Sequence, residues 1–143
     1  MINFDDVPKV ALDFMNDDHE EATKITNTLQ TLIGAADNGE ANPQAISDTL
    51  EKLLTHCREH FAREEAQMQK INFPPYPIHQ GEHQCVLSEM EQVLESWRKS
   101  EDLVALKQYA FETLPEWFIG HIESMDSITA LFIARCGGPF ESE

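Results

Sequence analysis

Apolar residues recur along the chain at alternating steps of three and four, the period of an α-helix. The first series runs Leu12, Met15, Ala22, Leu29, Ile33 and Ala36, with His19 filling the gap between Met15 and Ala22. Asp37-Asn38-Gly39 ends it, and Asn42-Pro43 reads as an N-cap followed by proline at the first helical position. The second series is Ile46, Leu50, Leu53, Cys57, His60, Glu64, Met68 and Ile71, closed by the proline-rich stretch from Asn72 to Pro77. A third starts at Pro77 and carries His79, His83, Val86, Met90, Val93 and Trp97. Ser100 is expected to cap the next segment, with Glu101 and Asp102 in its first turn. Pro115 should break or kink that segment, or start a new helix after Thr113. The last seam is Leu114, Phe118, His121, Met125, Ile128 and Phe132, stopped by Gly137-Gly138.

Four main amphipathic helices of about 20 residues are each near 30 Å long. Joined by short turns, they predict an all-α fold, an up-down-up-down four-helix bundle with a break near Pro115. No β pattern competes, and with no internal repeat or long linker residues 1–143 read as one domain.

Ten basic residues against 26 acidic ones give a formal charge of −16. Such a surface repels nucleic-acid phosphates and anionic membranes, so neither is an expected partner. No stretch of about 20 apolar residues is present to span a bilayer. The start of the chain lacks the basic and apolar regions of a secretory signal, which gives a cytoplasmic expectation. Cys57, Cys85 and Cys136 form no C-x-x-C pair and read as free thiols acting as small core residues.

Charge and cysteines leave the histidines unexplained. Five of the six fall on the apolar seams, where five imidazoles and two carboxylates would be costly to bury without something to pair with them. A metal ion does that. His60 and Glu64, and likewise His79 and His83, are four residues apart, so each pair converges on one point. His121 and Asp126 are five apart, about 140° around an α-helix. That spacing fits a carboxylate reaching a second ion, or a local helix distortion. Imidazole with carboxylate suits iron, zinc, copper or nickel rather than calcium or magnesium, and no cysteine joins the set. Seven donors exceed one octahedron but serve two ions if both carboxylates bridge. The Glu-x-x-His pattern of ferritin-like di-iron proteins is absent: the residues three before the histidines are Asn16, Leu53, Cys57, Tyr76, Gln80 and Phe118.

These residues resemble the hemerythrin family, and specifically its bacterial hemerythrin-like domains. The matching segments are Asp18-His19-Glu20, the run from His60 to Met68, the run from His79 to His83, and the run from Trp117 to Asp126. The resemblance implies two non-haem iron ions (Fe2+/Fe3+) with an oxo or hydroxo bridge. His79, His83 and His121 would bind one iron, His19 and His60 the other, and Glu64 and Asp126 both. Dioxygen, or a similar small diatomic ligand, would bind at the open position of the two-histidine iron. Trp117 and Phe118 would line the oxygen pocket, Phe118 where family members often have leucine. His56 stands one turn before His60 where bacterial relatives often have tyrosine, and reads as a residue beside the ligands, a proton donor or an alternative ligand.

The resemblance leaves three functions open. The first is reversible dioxygen binding for storage, delivery or sensing, by a monomer without turnover. The second is an enzyme reducing peroxide, nitric oxide or dioxygen, with His56 as proton donor and a separate redox partner. The third is an iron- or redox-responsive regulatory module. On the residues alone, Cys57 reads as packing, and Asp17, Asp18, Glu20 and Glu21 as a solvated face.

Overall fold

A computed structural model of the chain describes residue 2 and residues 4–141. A short 3₁₀ turn at Phe4–Asp6 precedes three long helices: α1 (Asp13–Asp37), α2 (Pro43–Lys70) and α3 (Tyr76–Ser100). The fourth helical path is composite. It runs through α4 (Leu103–Gln108), a π turn (Tyr109–Thr113), α5 (Leu114–His121), a second π turn (Ile122–Asp126) and α6 (Ser127–Arg135). Short connections make successive helices antiparallel neighbours, the bundle expected from the periodicity. Helix α2 packs on α1 and α3, and the start of the fourth path closes against α1 and α3. No strand occurs among the described residues, and no described helix is long and apolar enough to cross a membrane.

Local chemistry places the helix ends. The Asn42 side chain accepts the Ala45 N–H at 3.1 Å, with Pro43 at the first helical position. Gly137, at φ 92°, takes the left-handed position that stops α6. The expected cap at Ser100 is displaced. Ser100 lies inside α3 and its hydroxyl donates back to the Ser96 carbonyl at 2.9 Å, which removes it from capping. Asp102 caps α4 instead, accepting the Ala105 N–H at 3.1 Å, while Glu101 turns the chain at φ 50°.

The discontinuity expected at Pro115 takes the form of the first π turn. There Leu114 donates to the Tyr109 carbonyl five residues back. Continuing that register, the next donor would be Pro115, which has no N–H, and the next acceptor Ala110. The buried Gln30 of α1 supplies the missing donor, with Nε2 at 2.9 Å from the Ala110 carbonyl.

The second π turn shifts the seam by one residue. Ile128 and Phe132, expected inside, are 58% and 40% exposed, and Thr129, Ala130 and Ile133 are buried in their place. Of the three cysteines, only Cys57 is a core residue; Cys85 and Cys136 are exposed.

Two apolar clusters flank a polar layer. Ile25, Leu53, Phe61, Val86, Met90 and Leu114 belong to one, and Met15, Met68, Phe73 and Ala130 to the other. Each helix passes from one cluster to the other through a histidine or carboxylate. Three side-chain amides tie non-helical segments to the bundle, each accepting one residue's N–H and donating to its carbonyl. Asn16 holds Val10, Asn27 holds Ile2, and Gln67 holds Phe140, all at 2.7 to 2.9 Å.

Gln30 and Pro115 should therefore be thermodynamically coupled. Gln30→Met is expected to cost about 1–3 kcal/mol by stranding the Ala110 carbonyl. In a Pro115→Ala background, where a backbone N–H is restored, the same change should cost markedly less. A double-mutant cycle by urea unfolding measures this, and equal costs in both backgrounds would refute the coupling.

Candidate metal centre

All seven candidate ligands meet in the polar layer. His19 comes from α1, His60 and Glu64 from α2, His79 and His83 from α3, and His121 and Asp126 from the fourth path. None is more than 5% exposed. Their donor atoms form two groups, each with all atoms within 4.8 Å of one another. One group is Glu64, His79, His83, His121 and Asp126; the other is His19, His60, Glu64 and Asp126. Glu64 and Asp126 belong to both.

The awkward five-residue spacing of His121 and Asp126 is resolved by backbone. Ser127 donates to the Ile122 carbonyl five residues back, so the intervening turn is wider than an α turn. That restacks residues five apart, and His121 Nε2 comes within 3.0 Å of Asp126 Oδ1. Asp126 also lies 3.0 Å from His19 Nε2 and 3.1 Å from His79 Nε2. Glu64 lies 3.2 Å from His60 Nε2 and 3.3 Å from His83 Nε2, off the line of a hydrogen bond.

The donor chemistry fits bound cations. Both Glu64 oxygens are fully buried without a hydrogen-bond partner. The Nε2 atoms of His79 and His83 approach that of His121 at 3.1 and 3.3 Å, an arrangement of facing lone pairs that a positive ion would satisfy. On the outer side of the rings, carboxylates can only accept. Each therefore fixes the proton on Nδ1 and turns the Nε2 lone pair of the neutral ring inward.

These outer partners run from helix to helix. Asp18 of α1 accepts from His60 of α2 at 2.7 Å, and Glu65 of α2 from His83 of α3 at 3.1 Å. Glu82 of α3 accepts from His121 of α5 at 2.8 Å, and Thr129 of α6 bonds His79 of α3 at 2.9 Å. The buried Nδ1 of His19 has no partner. Sequence reasoning missed Asp18, Glu65, Glu82 and Thr129. A signal was present: Asp18, Glu65 and Glu82 each directly adjoin an inner residue, His19, Glu64 and His83. The reading of Asp18 as part of a solvated face is thus corrected, because it is held among His60 and both Arg63 donors.

The remaining expected site residues take different places. His56 belongs to neither donor group; its Nε2 donates to the Asp18 carbonyl at 3.0 Å and its ring lies parallel to His60. Trp117 stacks on His121 at 4.6 Å, and Phe118 meets His19 edge-on at 5.8 Å. Phe61, also missed, stacks flat on His83 at 3.9 Å. A cavity of about 30 Å³ reaches His19, His60, His121 and Asp126 between Trp117, Phe118 and Ile2.

Electrostatics follow from burial against pairing. Burial favours the neutral form of His60, yet Glu64 and Asp18 overcome it and raise its pKa to about 10. Burial likewise opposes ionisation of Asp18, but His60 and Arg63 hold it down at about 2. Despite burial, His121, His19 and His79 keep Asp126 well below the usual carboxylate range. Cys57 is pushed up to about 12 by burial and then by the Glu64 charge.

Such a fold and site define a metal-binding four-helix bundle built on histidine and carboxylate. The chain matches the hemerythrin HHE cation binding domain over residues 10–130, and it belongs to the hemerythrin family. It is similar to a bacteriohemerythrin from Aquifex aeolicus (strain VF5), 28% identical over 124 residues, covering 87% of this chain and 91% of that one. A bacteriohemerythrin from Ralstonia nicotianae (strain ATCC BAA-1114 / GMI1000) is 34% identical over 108 residues, 75% of each chain. One from Methylococcus capsulatus (strain ATCC 33009 / NCIMB 11132 / Bath) is 22% identical over 115 residues, 80% of this chain and 82% of that one. No solved structure matches the chain with significance.

Two outcomes follow from this geometry. Asp18→Asn should weaken metal retention roughly 10- to 100-fold, measured by transfer to a chelator, because the ring of His60 loses its anionic acceptor. With Cys57 buried and its pKa raised to about 12, a thiol reagent at neutral pH should count Cys85 and Cys136 in the native chain. Cys57 should react at a comparable rate only on unfolding; three equally fast thiols would contradict the burial.

Proposed function

We propose that this chain is a non-haem di-iron protein that binds dioxygen reversibly at one open iron position. On this reading His79, His83 and His121 hold one ion, His19 and His60 hold the other, and Glu64 and Asp126 span both. The observation that carries the reading is the inequality of the two donor groups, five residues against four, with the cavity lined by both histidines of the smaller, His19 and His60, and by one of the three in the larger, His121. The five-residue group approaches a full coordination shell, whereas the other leaves room for a ligand. When bound, two ferrous ions would supply the electrons that make dioxygen binding strong yet reversible.

The chain's own residues favour binding over turnover. Trp117, Phe118, Leu53, Met90 and Leu114 give the cavity an apolar wall. A proton source is needed to reduce oxygen or peroxide. Beyond the donor residues, the described lining offers only the Cys57 thiol and the Thr26 hydroxyl. The first is held protonated to about 12, and the second already donates to the Ala22 carbonyl at 2.8 Å. His56, the sequence-based candidate for a proton donor, is not among the residues that line this cavity.

The test is anaerobic reduction of the purified, metal-assayed protein, followed by oxygen addition in a visible spectrometer. The expected result is two irons per chain and a lasting coloured band that vanishes on deoxygenation. Two irons with immediate irreversible oxidation would move the function to a reductase or a redox-responsive module. Fewer than one metal per chain would overturn the assignment. Replacing Glu64 with alanine should remove both metals together, since its carboxylate belongs to both donor groups.

A further inference from the structure

We propose that Ile2 is the door of the small-molecule cavity and Asn27 its latch, so that this pair sets which ligands reach the metal centre and how fast. The inference rests on the cavity's role as the ligand site. Every described lining residue except Ile2 stands on the helical framework, on α1, α2, α3 or the fourth path. Ile2 lies outside any helix and is half-buried. Among the described residues, the Asn27 side chain ties its backbone to α1. Asn27 Oδ1 accepts the Ile2 N–H at 2.8 Å, and Asn27 Nδ2 donates to the Ile2 carbonyl at 2.8 Å.

Asn27 directly follows Thr26, which lines the same cavity, so the latch is anchored at the cavity rim. Opening a path between packed helices means separating buried side chains. Displacing Ile2 breaks, among the described contacts, the two hydrogen bonds to Asn27 and moves one side chain, a smaller disturbance than parting the helices. A cavity of about 30 Å³ has room for a diatomic molecule and little more. A wall that moves therefore controls larger ligands more strongly than smaller ones.

Asn27→Leu removes both hydrogen bonds, Ile2→Ala shrinks the door, and Ile2→Phe enlarges it. Azide and thiocyanate binding to the oxidised, iron-loaded protein are followed by stopped flow. Asn27→Leu and Ile2→Ala should accelerate entry, roughly tenfold for loss of two backbone hydrogen bonds. The gain should be larger for thiocyanate, and Ile2→Phe should slow both anions. Opposite effects of the small and large side chains separate a door from general loosening of the fold.

A metal-independent measurement separates failure of the door from failure of the proposed function. Cys57 lines the same cavity, so its reaction with methyl methanethiosulfonate can be timed after changing Cys85 and Cys136 to serine. Faster Cys57 modification in Asn27→Leu and slower modification in Ile2→Phe would support the door even in a chain that held no iron. Unchanged Cys57 and anion rates in all three variants would place the entry elsewhere and overturn the proposal.

Discussion

Glu64 and Asp126 are buried to within 1% in the middle of an apolar bundle, and the polar layer is arranged around the charge they bring. An isolated carboxylate at such depth would neutralise itself or unfold its surroundings. Here each lies among imidazoles, and three of the five imidazoles are oriented by further carboxylates. Counting Asp18, Glu65 and Glu82, the layer holds as many carboxylates as inner histidines, so neutral rings would leave it strongly negative. Arg63 offsets one charge through Asp18. With the two divalent ions proposed above, the set would come to neutrality. In the chain by itself, Glu64 and Asp18 raise the pKa of His60 to about 10 and so favour a proton as one counter-charge, which metal binding at that ring would displace.

The bundle and six of the inner seven residues, all but Asp126, were legible because one pattern encodes both. A histidine at a seam position breaks hydrophobicity without breaking period, so helix and inward direction can be read together. The end of α1, both ends of α2 and the start of α3 are also announced, through the Asn-Gly turn after Asp37, Asn42-Pro43 and the proline-rich stretch after Asn72. The fourth path was harder. Its α-period puts Met125, Ile128 and Phe132 inside, whereas the second π turn moves the buried positions to Asp126, Thr129 and Ile133. A single extra residue per turn leaves no compositional mark. Its trace in the sequence is the spacing of His121 and Asp126, which an α turn cannot reconcile with a shared ion.

The outer partners were illegible for a different reason. In a chain with 26 acidic residues, an aspartate beside a helical histidine looks like one more solvated charge. What distinguishes Asp18, Glu65 and Glu82 is the helix each faces, which depends on packing rather than local period. Adjacency to an inner residue places such a side chain at the border of the buried stripe, where it can reach the histidine of the next helix. Gln30 illustrates the same limit. Its value lies in a carbonyl eighty positions away, left unpaired by a proline whose effect depends on the register of the π turn.

The helix-to-helix chain of support has one gap, and its location is informative. His60, His83, His121 and His79 each have an outer partner, while His19 Nδ1 is buried without one. An imidazole whose Nδ1–H meets no acceptor is a less basic donor than one bonded to a carboxylate. His19 also belongs to the four-residue group, both of whose histidines line the cavity, against one of three in the other. Fewer donors and weaker outer support thus coincide at one ion position. A centre built this way would concentrate its change of charge and coordination there, while the five-residue group, braced by Glu65, Glu82 and Thr129, stays fixed. The asymmetry needed for one ligand position is therefore present in the outer bonds as well as in the count of donors.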